Sequence, residues 1–213
     1  MTITHHPADE TLVALAAGAL DAGRQYVVEA HTGACVRCRR AIALLVEAGG
    51  LLLDGVEPVC MGAAALQSAL AQLDAPAKTV AGARDAAFAL PPVSEMFAAP
   101  DRGPWTWVGP GVHMRPLYTP KAGETRVFLL KAAPGLGLPE HTHSGSELTV
   151  VLSGAFAHAG GRFAVGDCDD ADDTDEHNPV VESGEACICL VAMDGQLKLQ
   201  GLLGRMMQPF VRL

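Results

Sequence analysis

Apolar residues recur every three to four positions along residues 1–74, the spacing of one face of an α-helix. The pattern predicts four helices. The first covers DETLVALAAGAL, with Asp9 as its N-cap and Gly18 as its stop, and the second follows Asp21 and runs to about Ala30. The third covers CVRCRRAIALLVEAGG and ends at its glycine pair, and the fourth covers 62–74.

The pattern changes at Trp105 to short runs of β-prone residues separated by Gly, Pro and Asp. Many short strands with this spacing are typical of an all-β sandwich or barrel. The runs are WTWVG, VHMRPLY, TRVFLLKAAP, ELTVVLSG, AFAHAG, RFAVGD, PVVE, EACICLVAM and GQLKLQ. Between the two patterns, residues 75–104 are rich in proline and have little periodicity, which predicts a linker that docks partly on the β domain.

The composition is compatible with a multidomain α plus β protein. A length of 213 residues allows two small domains, and a hydrophobic content of 49% supplies a sizeable core. Aromatic residues make up only 5%, so that core must consist mainly of Ala, Leu and Val. We predict a helical domain over 1–85, a linker over 86–104 and a β-barrel domain over 105–213.

Charge and hydropathy restrict the function classes. The formal net charge is −9, and both halves of the chain are acidic, which argues against direct nucleic-acid binding and favours a protein partner or small ligand. No secretory signal and no apolar run of about 18 residues is visible, so we predict a cytoplasmic chain without a membrane span. In a reducing cytoplasm, a CxxC pair indicates metal or redox chemistry.

The stretch HTGACVRCRR carries the first candidate site. His31, Cys35 and Cys38 stand at i, i+4 and i+7, so they face one way on a helix. Tetrahedral zinc needs a fourth ligand, for which His5 and His6 are the upstream candidates. Such a site would tie the first helix to the third in a domain with little core of its own. Inert cysteines or a redox pair are the alternatives, although the βαβ context of a thioredoxin-like pair is missing.

The second candidate site reads Gly135-x5-His141-x-His143-x3-Glu147-x6-Gly154 and matches the first cupin motif at every fixed position. The two histidines alternate on a strand, so their side chains point to the same face. Glu147 begins the next strand and can supply a third ligand. Mixed nitrogen and oxygen ligation in an open pocket is typical of a divalent metal.

The fourth ligand of this second site is less sharply defined. The usual second cupin motif supplies a further histidine, but here the Gly166-Asp167 turn lacks the preceding proline and the histidine comes late. We take His177 as this ligand, because a proline and an apolar run follow it. His158 and His113 are the rivals.

Three further features leave alternatives open. The acidic run at 167–176 lacks the EF-hand pattern and is interpreted as a solvated loop. Cys187 and Cys189 share one face of a late strand, as core fillers or as oxidation-sensitive residues. The fourth helix carries a leucine stripe that either packs in the core or binds a partner. Its members are Leu66, Leu70 and Leu73.

The two candidate sites together resemble the ChrR-type anti-sigma factors over nearly the whole chain. The spacing from His6 through His31 to Cys35 and Cys38 is similar to the zinc-binding anti-sigma motif, and the later site is similar to that family's cupin. The resemblance implies zinc in the first site and zinc or another divalent metal in the second. The implied ligands are His6, His31, Cys35 and Cys38, and then His141, His143, Glu147 and His177.

The resemblance also implies a function. A chain of this family holds a group IV, RpoE-like extracytoplasmic-function (ECF) sigma factor inactive by occluding surfaces that RNA polymerase needs. It releases the sigma factor under oxidative stress, such as singlet oxygen or organic hydroperoxides, and so regulates transcription without being an enzyme. The alternative is a metal-dependent cupin enzyme, a dioxygenase or isomerase, which would leave the N-terminal motif unexplained.

Overall fold

The computed structural model describes residues 2–74, 92–101, 103–118 and 124–199. Much of the predicted linker, the predicted boundary at residue 85 and the end of the chain lie outside these residues. Five helices are described, and four of them precede the linker. They are α1 (Asp9–Ala16), α2 (Ala22–Ala34), α3 (Val36–Asp54), α4 (Ala65–Asp74) and α5 (Val93–Ala98).

The helix starts follow the sequence only in part. Asp21 is the N-cap of α2, as predicted, and its carboxylate accepts hydrogen bonds from the backbone N–H groups of Gly23 and Arg24. The prediction for α1 is wrong, because Ala8 occupies the N-cap position and Asp9 is the first helical residue. Instead, the Ala8 N–H donates to a carboxylate far along the chain, Asp170 Oδ2, at 2.9 Å.

Of the two helix ends predicted from glycines, one is confirmed and one is wrong. Gly18 follows α1 with φ of +66°, a conformation that suits glycine, so this predicted stop is confirmed. The predicted end of α3 at Gly49 and Gly50 is wrong, because the helix continues to Asp54. A helical glycine costs only about 1 kcal/mol relative to alanine, which the flanking Leu and Ala residues can offset.

Eleven strands are described, and all their pairings are antiparallel. A six-stranded sheet has the order β1-β2-β3-β10-β5-β8, and two small sheets have the orders β11-β4 and β7-β6-β9. The bounds are β1 (Thr106–Gly109), β2 (Val112–Tyr118), β3 (Arg126–Ala132), β4 (His141–His143), β5 (Glu147–Ser153), β6 (Ala155–His158), β7 (Gly161–Ala164), β8 (Cys168–Ala171), β9 (Val180–Val181), β10 (Cys187–Met193) and β11 (Leu197–Leu199).

Strand β8 contradicts the solvated-loop interpretation of the acidic run. Its residues pair with β5, with Asp169 opposite Thr149, and both Cys168 and Ala171 are buried. The acidic side chains of this segment bond to neighbouring elements instead of facing only water, which is why an acidic sequence forms a strand here. From Asp172 onward the described run is mostly exposed, as a loop would be.

Both faces of the six-stranded sheet are buried. Side chains that point into the barrel, such as Phe128, Val151 and Val191, pack with the small sheets. Side chains that alternate with them point outward and pack against α2 and α5. These outer residues are Val127, Leu129, Leu148, Val150, Leu152, Leu190 and Ala192.

The helices therefore share a hydrophobic core with the barrel. Val27, Val28 and Ala30 of α2 are fully buried against the outer face of the sheet, and Met96 of α5 joins the same cluster. The predicted linker thus contains a docked helix. The boundaries at 85 and 105 stay a prediction. None of the described helices combines the length and apolar content needed to cross a bilayer.

The glycine that closes the predicted cupin motif should be more sensitive to alanine than the one that opens it. Gly154 has φ of +71°, and a Cβ there would lie 2.7 Å from Ala186 O and 2.9 Å from Cys187 Cα. Gly135 has φ of +70° but open space around it. We expect Gly135→Ala to lower the free energy of unfolding by about 1 kcal/mol and Gly154→Ala by about 3 kcal/mol. Urea denaturation of the two variants measures this, and equal losses would contradict it.

Candidate metal centres

Four side chains that are distant in sequence meet where the helices lie on the barrel. His6 precedes α1, His31 lies in α2, and Cys38 lies in α3. Cys35 ends α2 and begins α3 in an extended conformation, and this break turns its side chain toward the others. One ligand atom from each residue lies within 4.8 Å of all the others. We call this set the N-terminal cluster.

The distances within the N-terminal cluster fit a tetrahedral metal ion. His31 Nε2 lies 3.2 Å from Cys38 Sγ, and His6 Nδ1 lies 3.4 Å from both cysteine sulfurs. With zinc–nitrogen and zinc–sulfur bonds of about 2.0 and 2.3 Å, a tetrahedral N···S edge is about 3.5 Å. The four donors are thus arranged nearly as one ion would require.

Hydrogen bonding orients one histidine of the N-terminal cluster. The Nδ1–H of His31 donates to the backbone carbonyl of Gly166 at 2.8 Å, which leaves Nε2 as the free lone pair facing Cys38. Burial lowers the pKa of His31, and burial together with the Arg37 charge lowers the pKa of His6. Both rings therefore favour the neutral form that binds metal.

The surroundings of Cys38 disfavour a thiolate unless a cation is close by. Burial and the adjacent Cys35 thiol raise the pKa of Cys38 to about 12. A thiolate in this position needs a compensating positive charge, and a divalent metal supplies it.

Three histidines meet at the mouth of the barrel. His177 Nε2 lies 2.9 Å from His141 Nε2 and 3.3 Å from His143 Nε2. A tetrahedral N···N edge around zinc is about 3.3 Å. The backbones of His141 and His177 also bridge each other, at 3.1 and 3.2 Å, which fixes the segment that carries His177 beside β4. We call these three residues the barrel cluster.

Burial and hydrogen bonding favour neutral imidazole rings in the barrel cluster, with their Nε2 atoms facing one another. The Nδ1–H of His141 donates to Pro139 O at 2.7 Å, so Nε2 is its free lone pair. Burial and the neighbouring His141 lower the pKa of His177 to about 4. Three neutral lone pairs that point at one another are satisfied by a shared cation, so these residues could hold a metal ion.

The predicted ligand Glu147 lies beside the barrel cluster instead of within it. Its Oε2 is 3.5 Å from His143 Nδ1, a buried nitrogen that has no hydrogen-bond partner among the described residues, and its Oε1 accepts from Thr149 Oγ1 at 2.9 Å. Burial raises the pKa of Glu147, which neighbouring His141 opposes. Its role as a metal ligand stays a prediction.

The rival histidines have other positions. His158 Nε2 bonds to Asp169 Oδ2 at 2.9 Å, and these two residues form a further potential metal-binding group with His177. His113 lies on β2, outside every such group in the described part of the chain. His5 packs against Phe163, with the ring centroids 4.1 Å apart and the rings tilted by 33°, and it is His6 that joins the N-terminal cluster.

A cavity of about 260 Å³ fills the barrel interior. Its walls are mostly apolar, and His141, Glu147 and His177 line it together with Cys187 and Cys189. The two sulfurs lie 3.7 Å apart. The hydrogen bond with Cys187, together with burial, raises the pKa of Cys189, which favours the less reactive thiol form. The cysteines thus face inward as predicted, and their role stays open.

The helical part carries a large exposed apolar surface. The leucine stripe of α4 does not pack in the core, since its members are 51–80% exposed. Neighbouring residues of α3 and the following segment are similarly exposed. We call the whole set the apolar helix surface: Leu44, Val46, Leu51, Leu52, Leu53, Val56, Val59, Met61, Leu66, Leu70 and Leu73. Apolar surface of this extent on a folded chain marks an interaction site.

Comparison with known proteins identifies the family. Residues 93–197 match the family described as the ChrR Cupin-like domain. The chain is 39% identical over 215 residues to the anti-sigma-E factor ChrR of Cereibacter sphaeroides, and the match covers all of both chains. The chain belongs to the ChrR family of anti-sigma factors.

A solved structure of a ChrR protein supports the same conclusion about the fold. The crystal structure of Rhodobacter sphaeroides SigE in complex with the anti-sigma ChrR matches with a TM-score of 0.72 and 38% identity. The match covers 91% of this chain and 100% of that one. The predicted fold, a helical N-terminal part followed by a cupin barrel, is confirmed.

Sequence reasoning missed the residues that connect the two clusters. Asp167, in the turn before β8, and Asp169 and Asp170 on β8 all contact groups in other elements, yet in the sequence they stand among seven acidic residues in ten. The Gly166-Asp167 turn was the one local signal. The carbonyl of Gly166 in this turn accepts a hydrogen bond from His31, which is 135 residues away, so motif spacing could not reveal the contact.

The N-terminal cluster predicts a specific loss of metal. Cys38→Ser removes a sulfur that lies within 3.4 Å of both histidine nitrogens, so the full-length variant should lose one equivalent of bound metal and retain the rest. Metal analysis of purified protein gives the stoichiometry. We expect the bound metal to contribute to folding, so partner binding should be lost as well. Cys60→Ser, a change at an exposed cysteine, is the control. Unchanged metal content in Cys38→Ser would exclude the site.

Proposed function

We propose that this chain binds and inhibits a group IV ECF sigma factor in the cytoplasm and releases it under oxidative stress. One observation carries the proposal: a ChrR-family chain has a broad exposed apolar helix surface. The related ChrR protein was crystallised in complex with SigE. A sigma factor seated on the apolar helix surface would lose access to RNA polymerase.

Physical chemistry favours this surface as the binding site. Leu51, Leu52 and Leu53 form consecutive positions that are 69–78% exposed at the end of α3. Burying each leucine contributes about 1.5–3 kcal/mol, so a few such side chains can anchor a stable complex. The acidic net charge of −9 complements a partner with basic DNA-binding regions.

The two clusters are assigned different tasks. Four converging nitrogen and sulfur donors, three of them buried, suit a structural zinc without an open position, so we assign zinc to His6, His31, Cys35 and Cys38. The barrel cluster has three nitrogens and an adjacent carboxylate beside a cavity. We assign it zinc or another divalent metal, held by His141, His143, Glu147 and His177.

The barrel is the proposed sensor. Its cavity reaches the barrel cluster and two cysteines, so a small oxidant entering it meets the groups that can respond. The apolar helix surface belongs to a different part of the chain, and release therefore requires that a change in the barrel reach the helices. The division into a binding unit over 1–85, a linker over 86–104 and a sensing unit over 105–213 is part of this proposal.

A cupin enzyme is the second candidate. Three histidines and a carboxylate beside an apolar cavity can also support metal-dependent dioxygenase or isomerase chemistry. Such an enzyme would not need an exposed apolar helix surface. Binding of an ECF sigma factor without turnover of small substrates would favour the regulator.

The apolar helix surface predicts a binding-defective variant that folds normally. Leu52 is 78% exposed, so Leu52→Asp should leave thermal stability unchanged. In a complex it would place a carboxylate in a desolvated contact, and we expect affinity for the ECF sigma factor to fall about 100-fold or more. Trp107→Asp, at a site 59% exposed on β1, is the control for an added charge. Equal binding by wild type and Leu52→Asp, measured by calorimetry, would place the interface elsewhere.

The barrel cluster predicts a variant that inhibits but does not release. Glu147→Ala removes the carboxylate beside His143 and leaves the N-terminal cluster intact. Cells carrying this variant should keep sigma-dependent reporter transcription low both before and during oxidative stress. Cells with the wild-type chain should induce the reporter. Normal induction in the variant would show that the barrel metal is not the sensor, and Cys187 and Cys189 would be examined next.

A further inference from the structure

The turn between β7 and β8 contacts the N-terminal cluster at several points. The carbonyl of Gly166 accepts the Nδ1–H of His31 at 2.8 Å. The N–H of Cys168 donates to the carbonyl of His5 at 3.2 Å. Between them, the Asp167 carboxylate bonds to the segment that leads into His6. A single turn of the barrel therefore touches the supports of two of the four donors.

The Asp167 carboxylate hydrogen-bonds to both the N-terminal segment and β7, and we call this set of hydrogen bonds the clamp. The carboxylate is almost fully buried, with 2% of the residue exposed. Oδ1 accepts from the N–H groups of Thr4 at 2.6 Å and His5 at 3.0 Å, and Oδ2 accepts from Ala164 N at 2.8 Å. Burial opposes ionisation of Asp167, but the three backbone donors outweigh it and hold its pKa below the usual value. An ionised carboxylate thus joins the N-terminal segment to the barrel.

We propose that Asp167 is a positioning residue for the N-terminal cluster and makes its geometry depend on the barrel. The inference rests on the proposed binding of a metal by this cluster. Without the clamp, residues 4 and 5 lose their anchor, and His6, the least buried of the four donors, is free to move away.

The same strand also reaches the barrel cluster. Asp169, two positions beyond Asp167, bonds to His158 and lies within 4.8 Å of the donor atom of His177. Strand β8 and the turn before it therefore contact both clusters. A displacement of β8 that follows a change at His177 would alter the anchor of His6, which gives a physical connection between the proposed sensor and the proposed binding unit.

Cobalt substitution tests the proposal in the full-length chain. The N-terminal cluster contains cysteines and the barrel cluster does not, so a thiolate-to-Co²⁺ charge-transfer band reports on the N-terminal cluster alone. Asp167→Asn keeps the shape of the side chain but replaces one accepting oxygen with an NH₂ group. We expect Co²⁺ to bind this cluster 10- to 100-fold more weakly, the usual effect of removing a support of metal ligands.

The neighbouring Asp172→Asn is the matched control. Asp172 lies in the same acidic run, but its carboxylate bonds locally to the N–H and hydroxyl of Thr174. This variant should bind Co²⁺ like wild type. Equal affinity in wild type and Asp167→Asn would overturn the positioning role. Absence of the thiolate band in wild type would overturn the metal assignment itself, so the two failures are distinguishable.

Hydrogen exchange provides a second measurement that does not need an Asp167 variant. Coupling between two sites is reciprocal, so loss of the N-terminal metal should loosen the clamp. In full-length Cys38→Ser, the amides of Thr4, His5 and Ala164 should exchange faster than in wild type. The Leu138 amide, which bonds to Pro179 O, should not change. Unchanged exchange at all three clamp amides would show that Asp167 does not respond to the cluster.

Discussion

The six-stranded sheet has two apolar faces, and each must be removed from water. The inner face is covered by the small sheets that complete the barrel. The outer face is covered by α2, whose Val27 and Val28 have no exposed surface, and by α5. Packing on this face fixes the position of α2. Because His31 lies on the same helix, it also places the imidazole over the carbonyl of Gly166 and defines where the N-terminal cluster forms.

The same constraint divides the helices by task. The first part of the helical region packs against the sheet and carries the metal donors. It therefore exposes little apolar surface to a partner. Beyond Cys38, α3 extends away from the barrel, and its later leucines together with those of α4 remain exposed. An interaction surface on α3 and α4 is therefore compatible with the docked barrel, because the two contacts use different parts of the helical region.

Local patterns in the sequence predicted what depends on local geometry. The spacing of His31, Cys35 and Cys38 indicated that they meet, although a break at Cys35 and not a single helix face brings them together. Strand alternation placed His141 and His143 on one face. Predictions failed where distant groups compete with local preference. Asp9 is a good N-cap residue, but α1 begins one residue earlier than a cap at Asp9 would give, with Ala8 at the N-cap position and its N–H bonded to Asp170.

The composition of the acidic run at 167–176 led to the wrong prediction that all of it is a solvated loop. Seven acidic residues in ten suggest solvation, because isolated buried carboxylates are costly. Asp167 avoids that cost with three backbone donors, and Asp169 with a histidine. These partners come from the N-terminal segment, β7 and the end of β6, so only the assembled fold brings them together. Periodicity likewise could not place the Glu147 carboxylate, since its direction depends on competition between Thr149 and His143.

The two clusters differ in how completely their donors would surround a metal ion. The N-terminal cluster has four converging donors, three of them buried, and so offers a metal no open position. The barrel cluster converges through three nitrogens, has its carboxylate to one side, and adjoins a cavity large enough for a small molecule. A closed site resists exchange, whereas an open site can change its coordination when a ligand enters. Since β8 contacts both, a response that begins at the open site has a short structural route to the closed one.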